Sequence, residues 1–102
     1  MAELKNAAEL EAASQESLVD FLQTDLALCF TFADLTKTEL ALGDRDAAER
    51  VFSKAEQGHA TIERFLTGVQ DVAQRREIGQ KLTDLRLRLD AFKTDGGTFH
   101  KG

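Results

Sequence analysis

Apolar positions along residues 17–42 are too numerous to form a single narrow stripe on a helix. The segment reads SLVDFLQTDLALCFTFADLTKTELAL and contains neither Gly nor Pro. At ~100° per residue, its apolar side chains cover more than half of the helix circumference. A helix with so broad an apolar surface is usually covered by neighbours on more than one side. We therefore predict that residues 17–42 form the central helix of a small bundle.

A second helix is predicted over residues 45–67. Gly43 suits the left-handed end of the first helix, and Asp44 can cap the start of the next one. Gly68 ends the second helix. Because the turn is tight, the first two helices must be antiparallel neighbours. The apolar stripe of the second helix consists of Ala48, Val51, Phe52, Ala55, His59, Ile62 and Leu66.

A third helix is predicted over residues 71–93. Asp71 is followed three residues later by Gln74, which is the spacing of a capping box. Beyond it, apolar residues recur at alternating spacings of four and three, as in a heptad seam. These residues are Ile78, Leu82, Leu85, Leu89 and Phe92.

The fold class that follows is all-α, in one domain over residues 1–93, built as a small antiparallel three-helix bundle. The 102-residue chain is 42% hydrophobic and has no Pro, which suits long uninterrupted helices. Residues 2–14 are rich in Ala, Glu and Leu, so they form an extra packed helix (giving four helices), an extension of the first, or a fraying arm. Residues 94–102 contain two adjacent glycines and are predicted to be a flexible tail.

Charge and composition exclude several function classes. A net charge of −5 argues against a nucleic-acid partner, because phosphate binding requires clustered Lys and Arg. The chain has a single cysteine, Cys29, so no disulfide forms within it and nothing demands an oxidising compartment. It shows neither a secretory signal nor an apolar run of ~20 residues, which indicates no membrane partner and a cytoplasmic location.

Residues 32–60 resemble one tetratricopeptide repeat. The residues that carry the resemblance are Phe32, Leu35 and Thr36 in the first helix, Gly43-Asp44 at the turn, and Ala48, Phe52 and Ala55 in the second helix. The chain departs from the family pattern at Thr36, Glu39 and Ala60, and it has no second copy. Because repeat proteins need at least three units, the resemblance implies a packed helical hairpin and hints at partner binding.

Three polar residues interrupt the apolar stripes at Asp25, His59 and Arg75. Counting residues from the two turns places them near one level of the bundle, so they are predicted to converge in a polar layer. One interpretation is a structural ion pair between Asp25 and Arg75, with His59 hydrogen-bonded beside it. A second is a pocket for a ligand or for acid–base chemistry. In a third, these positions line a dimer interface.

The same counting places Cys29, Gly58 and Gly79 at one level. Glycine inside a helix costs ~1 kcal/mol relative to alanine, so we expect either close helix contact there or a cavity beside His59. Glu56 and His59 have the Glu-x-x-His spacing of helical di-iron proteins, but a single copy is a weak metal signal. We therefore predict no metal ligands, no cofactor and no catalytic residues.

The function that the sequence favours is a non-enzymatic module for protein–protein interaction or self-association. Three short helices do not obviously cover so broad an apolar surface on the first helix. Any apolar surface that stays exposed would mark an interface with another protein or within a homodimer. The predicted interface residues are Phe21, Leu28, Phe30 and Leu35. The alternative is a small-molecule or metal-binding bundle that uses the layer of Asp25, His59 and Arg75.

Overall fold

The computed structural model describes residues 2–94, with the side chains of residues 13–93. It contains three helices: α1 over Ala2–Ala41, α2 over Arg45–Leu66 and α3 over Val72–Thr94. No strand occurs within the described residues. The helices run up, down and up around one core, so the prediction of an all-α three-helix bundle is confirmed. The predicted tail, apart from Thr94, lies outside the described residues.

Helix α1 is one continuous helix of 40 residues and not a short helix followed by a long one. Near its middle, the amide nitrogen of Gln15 donates to the carbonyl of Gly68 at 3.1 Å, and its amide oxygen accepts from the backbone of Gln70 at 2.9 Å. The end of α2 is therefore level with Gln15. Residues 2–14 extend α1 beyond that level, because strong helix formers without Gly or Pro let it continue. No separate fourth helix forms within the described residues.

The turn between α1 and α2 is a Schellman motif. Gly43 has a φ of +82°, a left-handed conformation in which glycine carries no steric penalty. The backbone nitrogen of Gly43 donates to Leu40 at 3.0 Å, and that of Asp44 donates to Glu39 at 2.9 Å. The Asp44 carboxylate then accepts from the nitrogen of Ala47 at 3.0 Å. This tight turn sets α1 and α2 side by side, as predicted.

The turn between α2 and α3 is longer than the first. Thr67 ends α2, and Asp71 caps α3 by accepting from the nitrogen of Gln74 at 2.9 Å. Between them Val69 points inward and is only 1% exposed. Residues 67–71 therefore cross the end of the bundle before α3 begins.

The core is formed by one stripe from each helix. In α3 the predicted heptad residues are buried from Ile78 to Leu89, with Phe92 partly buried beside them. Two polar residues among those described are buried, Thr36 and His59, and the Thr36 hydroxyl donates to its own helix at the carbonyl of Phe32 (2.8 Å). The buried apolar residues of α1 and α2 are Val19, Leu22, Leu26, Cys29, Ala33, Ala47, Ala48, Phe52, Ala55 and Ile62. None of the described helices combines the length and the apolar content required to cross a membrane.

Candidate functional site

Helix α1 carries a second apolar stripe that neither α2 nor α3 covers. Phe21 and Leu28 are each 47% exposed, and Leu35 is 43% exposed. Leu42, directly after the helix, continues the stripe and is 73% exposed. These four residues are spaced seven apart, so they fall on one line along the helix. We call this line the α1 seam.

Three threonines lie between the large side chains of the α1 seam. Thr24, Thr31 and Thr38 repeat at the same spacing of seven, each following a seam residue by three positions, and all three are exposed. The hydroxyl of Thr31 donates to the carbonyl of Ala27 at 3.2 Å, and that of Thr38 donates to the carbonyl of Asp34 at 3.1 Å. Because these two hydroxyls already have partners in the helix, covering them costs little free energy.

Helix α2 borders the α1 seam on one side. Phe65, which is itself 43% exposed, packs edge-on against Phe21 with ring centroids 6.2 Å apart. The guanidinium of Arg64 lies 5.2 Å from the Phe65 ring centre. Further along, the ammonium of Lys54 lies 5.9 Å from the ring centre of Phe32. The exposed apolar surface therefore widens at the Phe21 end, where two rings meet.

Phe30 does not belong to the α1 seam, although the sequence placed it among the interface residues. It is partly buried and packs against the core, and the guanidinium of Arg88 covers its ring at 5.1 Å. Phe30 follows Leu28 by two positions, which turns it ~200° around the helix toward α3. The other three predicted residues, Phe21, Leu28 and Leu35, are exposed.

Asp25 and Cys29 lie where α1 and α2 are in close contact. A Cβ atom added to Gly58 would overlap the sulfur of Cys29 and would lie 4.0 Å from the carboxylate oxygens of Asp25. The expectation of close helix contact at Gly58 is therefore confirmed. Burial raises the pKa of Asp25, and burial together with the charge of Asp25 raises the pKa of the Cys29 thiol to about 11. Such a thiol is protonated near neutral pH and is a poor nucleophile.

The structure does not bring Arg75 into a layer with His59. Its guanidinium donates to the carbonyl of Val69 at 2.8 Å, which holds it at the turn before α3. His59 instead lies beside the pair of Glu56 and Arg86, about ten residues or ~15 Å further along α3. The counting failed because the turn between α2 and α3 takes up more residues than a tight fold at Gly68.

Glu56 belongs to an ionic cluster between α2 and α3. Arg86 donates to both of its carboxylate oxygens at 2.8 Å, and also to Asp90 at 2.9 Å, while the Lys93 ammonium lies 3.0 Å from Glu56. The hydrogen bond that Arg86 donates is the main cause that lowers the pKa of Glu56 to about 2, and the same bond raises the pKa of Arg86. No group of three or more His, Cys, Asp or Glu side chains in the described part of the chain is placed to hold a metal ion.

His59 should act as a pH-dependent destabilising residue. Burial, followed by the charge of Arg86, lowers its pKa below the ordinary value of 6.5. As pH falls through 6.5, the unfolded chain takes up a proton at this position before the folded chain does, so stability decreases from there down to the folded pKa. We expect His59→Leu to make urea-derived stability less steep between pH 7 and pH 5. An unchanged slope would show that His59 titrates alike in both states.

The alternative expectation, a cavity beside His59, is not met at either Gly58 or Gly79. A Cβ on Gly79 would meet a methyl group of Leu66 at 3.7 Å, which is ordinary contact. An open groove of about 510 Å³ lies instead between α1 and α3 near the first turn, where Lys37, Arg88 and Phe92 contribute to its lining.

The sequence reasoning missed two groups of residues. The first consists of Leu42, for which the signal was its spacing of seven from Leu35, and Phe65, which borders the α1 seam from α2 and carried no such signal. The second is Arg86, which follows Leu82 by four positions and Leu85 by one, and so lies at the edge of the α3 stripe. A long cation at a stripe edge can reach a carboxylate on the neighbouring helix.

Comparison of the whole chain with protein-family models, with curated proteins and with solved structures finds no match. Functional inference therefore depends on the geometry of the molecule itself. The feature that this geometry leaves without a structural role is the α1 seam.

Proposed function

We propose that the chain is a non-enzymatic helical module that binds another protein, or another copy of itself, through the α1 seam. The observation that carries the proposal is that three large apolar side chains, Phe21, Leu28 and Leu35, stay 43–47% exposed in one heptad line. Scattered apolar residues are normal on a protein surface, whereas a continuous line of them is typical of an interface. The resemblance to a tetratricopeptide hairpin is consistent with this role.

The binding alternative that uses Asp25, His59 and Arg75 has less support. Arg75 is held at the turn by Val69, and Glu56 is held by Arg86, so neither is available to a ligand beside His59. No observation on this side of the bundle favours a specific small molecule. We therefore propose the interaction role alone.

Site-specific photocrosslinking in the cells that express the chain tests the proposal. We expect p-benzoylphenylalanine at position 28 to form covalent adducts with a second protein or a second copy. The matched control is position 87 on α3, because Leu87 is also a leucine and is 65% exposed. Adducts found at both positions alike, or at neither, would contradict the proposal. Light scattering over a range of concentrations then distinguishes a homodimer from a partner complex.

A further inference from the structure

Acidic residues line both flanks of the α1 seam. Asp20 and Asp34 each precede a seam residue by one position, and Asp25 and Glu39 each follow a seam threonine by one position. In a pair of helices these are the flanking positions that face the partner. No basic residue occupies these flanking positions on α1; Asp34 and Lys37 both line the groove toward α3, where Arg88 lies 3.5 Å from Asp34.

This charge pattern disfavours a second copy of the chain as the occupant. In a parallel pair of α1 helices, Asp20 would face Asp25 and Asp34 would face Glu39. In an antiparallel pair, carboxylates would also meet only carboxylates, because each flanking heptad position then faces the same position on the partner helix. Lys54 and Arg64 border the seam from α2, but each is already stacked on an aromatic ring of its own chain. The same four carboxylates would be repelled by an anionic membrane surface.

The spacing of the seam indicates that the occupant is a helix. Seam residues recur about every 10.5 Å along α1, and a partner helix crossing at roughly 20° can follow such a line over several turns. An extended strand would present alternate residues at about 7 Å and would fall out of step with the seam after one repeat. Thr24, Thr31 and Thr38 leave shallow gaps between the larger side chains, into which partner side chains can pack.

Resting on the proposed function, we propose that the α1 seam binds an amphipathic helix of another protein, with apolar residues in heptad register and Lys or Arg at its flanking positions. Asp25 is the residue that such a cation would reach most usefully. It is half-buried beside Gly58, and no hydrogen bond or ion pair joins it to another side chain within the described residues. The carboxylate stays partly exposed although α2 passes close beside it at Gly58.

Two synthetic helical peptides test the inference. Both carry leucine in heptad register over four heptads. One has lysine and the other has glutamate at every flanking position. Fluorescence anisotropy with nanomolar labelled peptide and the full chain gives the affinity of each. We expect the lysine peptide to bind at least ten-fold more tightly than the glutamate peptide, and its binding to weaken as salt is added.

Three variants of the chain separate seam binding from non-specific charge attraction. We expect Leu28→Asp to weaken binding of the lysine peptide ten-fold or more, and Asp25→Asn to weaken it several-fold. Asp84→Asn, which removes an exposed carboxylate on α3, should leave the affinity unchanged. All three positions lie outside the core, so thermal melts should show folded proteins.

The outcomes distinguish this inference from the proposed function. Any of three results would overturn the proposal of a basic partner helix. These are no binding of the lysine peptide, no effect of Leu28→Asp, or an effect of Asp84→Asn as large as that of Asp25→Asn. A homodimer that Leu28→Asp dissociates would also overturn it while leaving the proposed function intact. If no specific adduct forms at position 28, the proposed function itself fails.

Discussion

Gly58→Ala is expected to destabilise the domain by about 3 kcal/mol, at the upper end of what overpacking a core contact costs. The new methyl group would overlap the sulfur of Cys29, and both atoms lie where two helix backbones constrain them. Relief requires α1 and α2 to separate locally, which loosens the core contacts on either side of Cys29. Urea denaturation monitored by circular dichroism measures the loss.

A double-mutant cycle identifies Cys29 as the cause. Cys29→Ala removes the sulfur that the new methyl group would meet, so the pair Cys29→Ala and Gly58→Ala should lose less stability than the two single changes added together. The matched control is Gly79→Ala. At that position the methyl group fits, so we expect equal or slightly higher stability, by about 0.5–1 kcal/mol from helix propensity. If Gly58→Ala and Gly79→Ala behave alike, the close contact is not a constraint on the fold.

The pairing of α1 with α2 was predictable because its turn leaves little freedom. Gly43 and Asp44 end one helix and cap the next within two residues, and the structure uses both as the sequence indicated. With the turn fixed, counting along each helix gives the level of every residue. It correctly placed Gly58 at the level of Cys29, where a missing side chain has an evident packing reason.

The pairing of α2 with α3 was not predictable to the same precision. Gly68 suggested a tight fold, but the chain continues to Asp71 and buries Val69 on the way. Burying that side chain is favourable, because it closes the end of the core. The added length shifts α3 along the bundle, and the Arg75 guanidinium is held at the turn by the carbonyl of Val69, outside the predicted polar layer.

The broad apolar surface of α1 had two explanations that the sequence could not separate. It signalled either a helix covered on all sides or a core stripe beside an exposed one. Because α2 and α3 are its two neighbours, one side of α1 stays exposed. The residues on that side, Phe21, Leu28 and Leu35, repeat every seven positions. A repeat that excludes the core residues supports the proposed function.

Arg86→Met is expected to destabilise the domain by about 2 kcal/mol at pH 7, below the cost of breaking a fully buried pair. Arg86 and Glu56 have side chains only 29% and 25% exposed, and the arginine satisfies both oxygens of the carboxylate. Without it, Glu56 keeps Lys93 as its partner but loses two hydrogen bonds at a partly buried site. Urea denaturation at neutral pH measures the change.

The pH profile tests the same pair independently of the size of the loss. The pKa of Glu56 in the folded protein is about 2, below its ordinary value of 4.5. The ionised carboxylate therefore stabilises the fold fully above pH 4.5, and this stabilisation is lost as pH falls from there toward 2. In Arg86→Met this acid-induced loss should be smaller, because the Glu56 carboxyl, left with Lys93 alone, titrates closer to its ordinary pKa. Lys81→Met is the matched control: its ion pair with Glu77 is 3.9 Å long and more than half exposed, so both stability and pH profile should stay near the wild type. Equal effects of the two substitutions would mean that the Glu56–Arg86 pair contributes no more than a solvent-exposed ion pair.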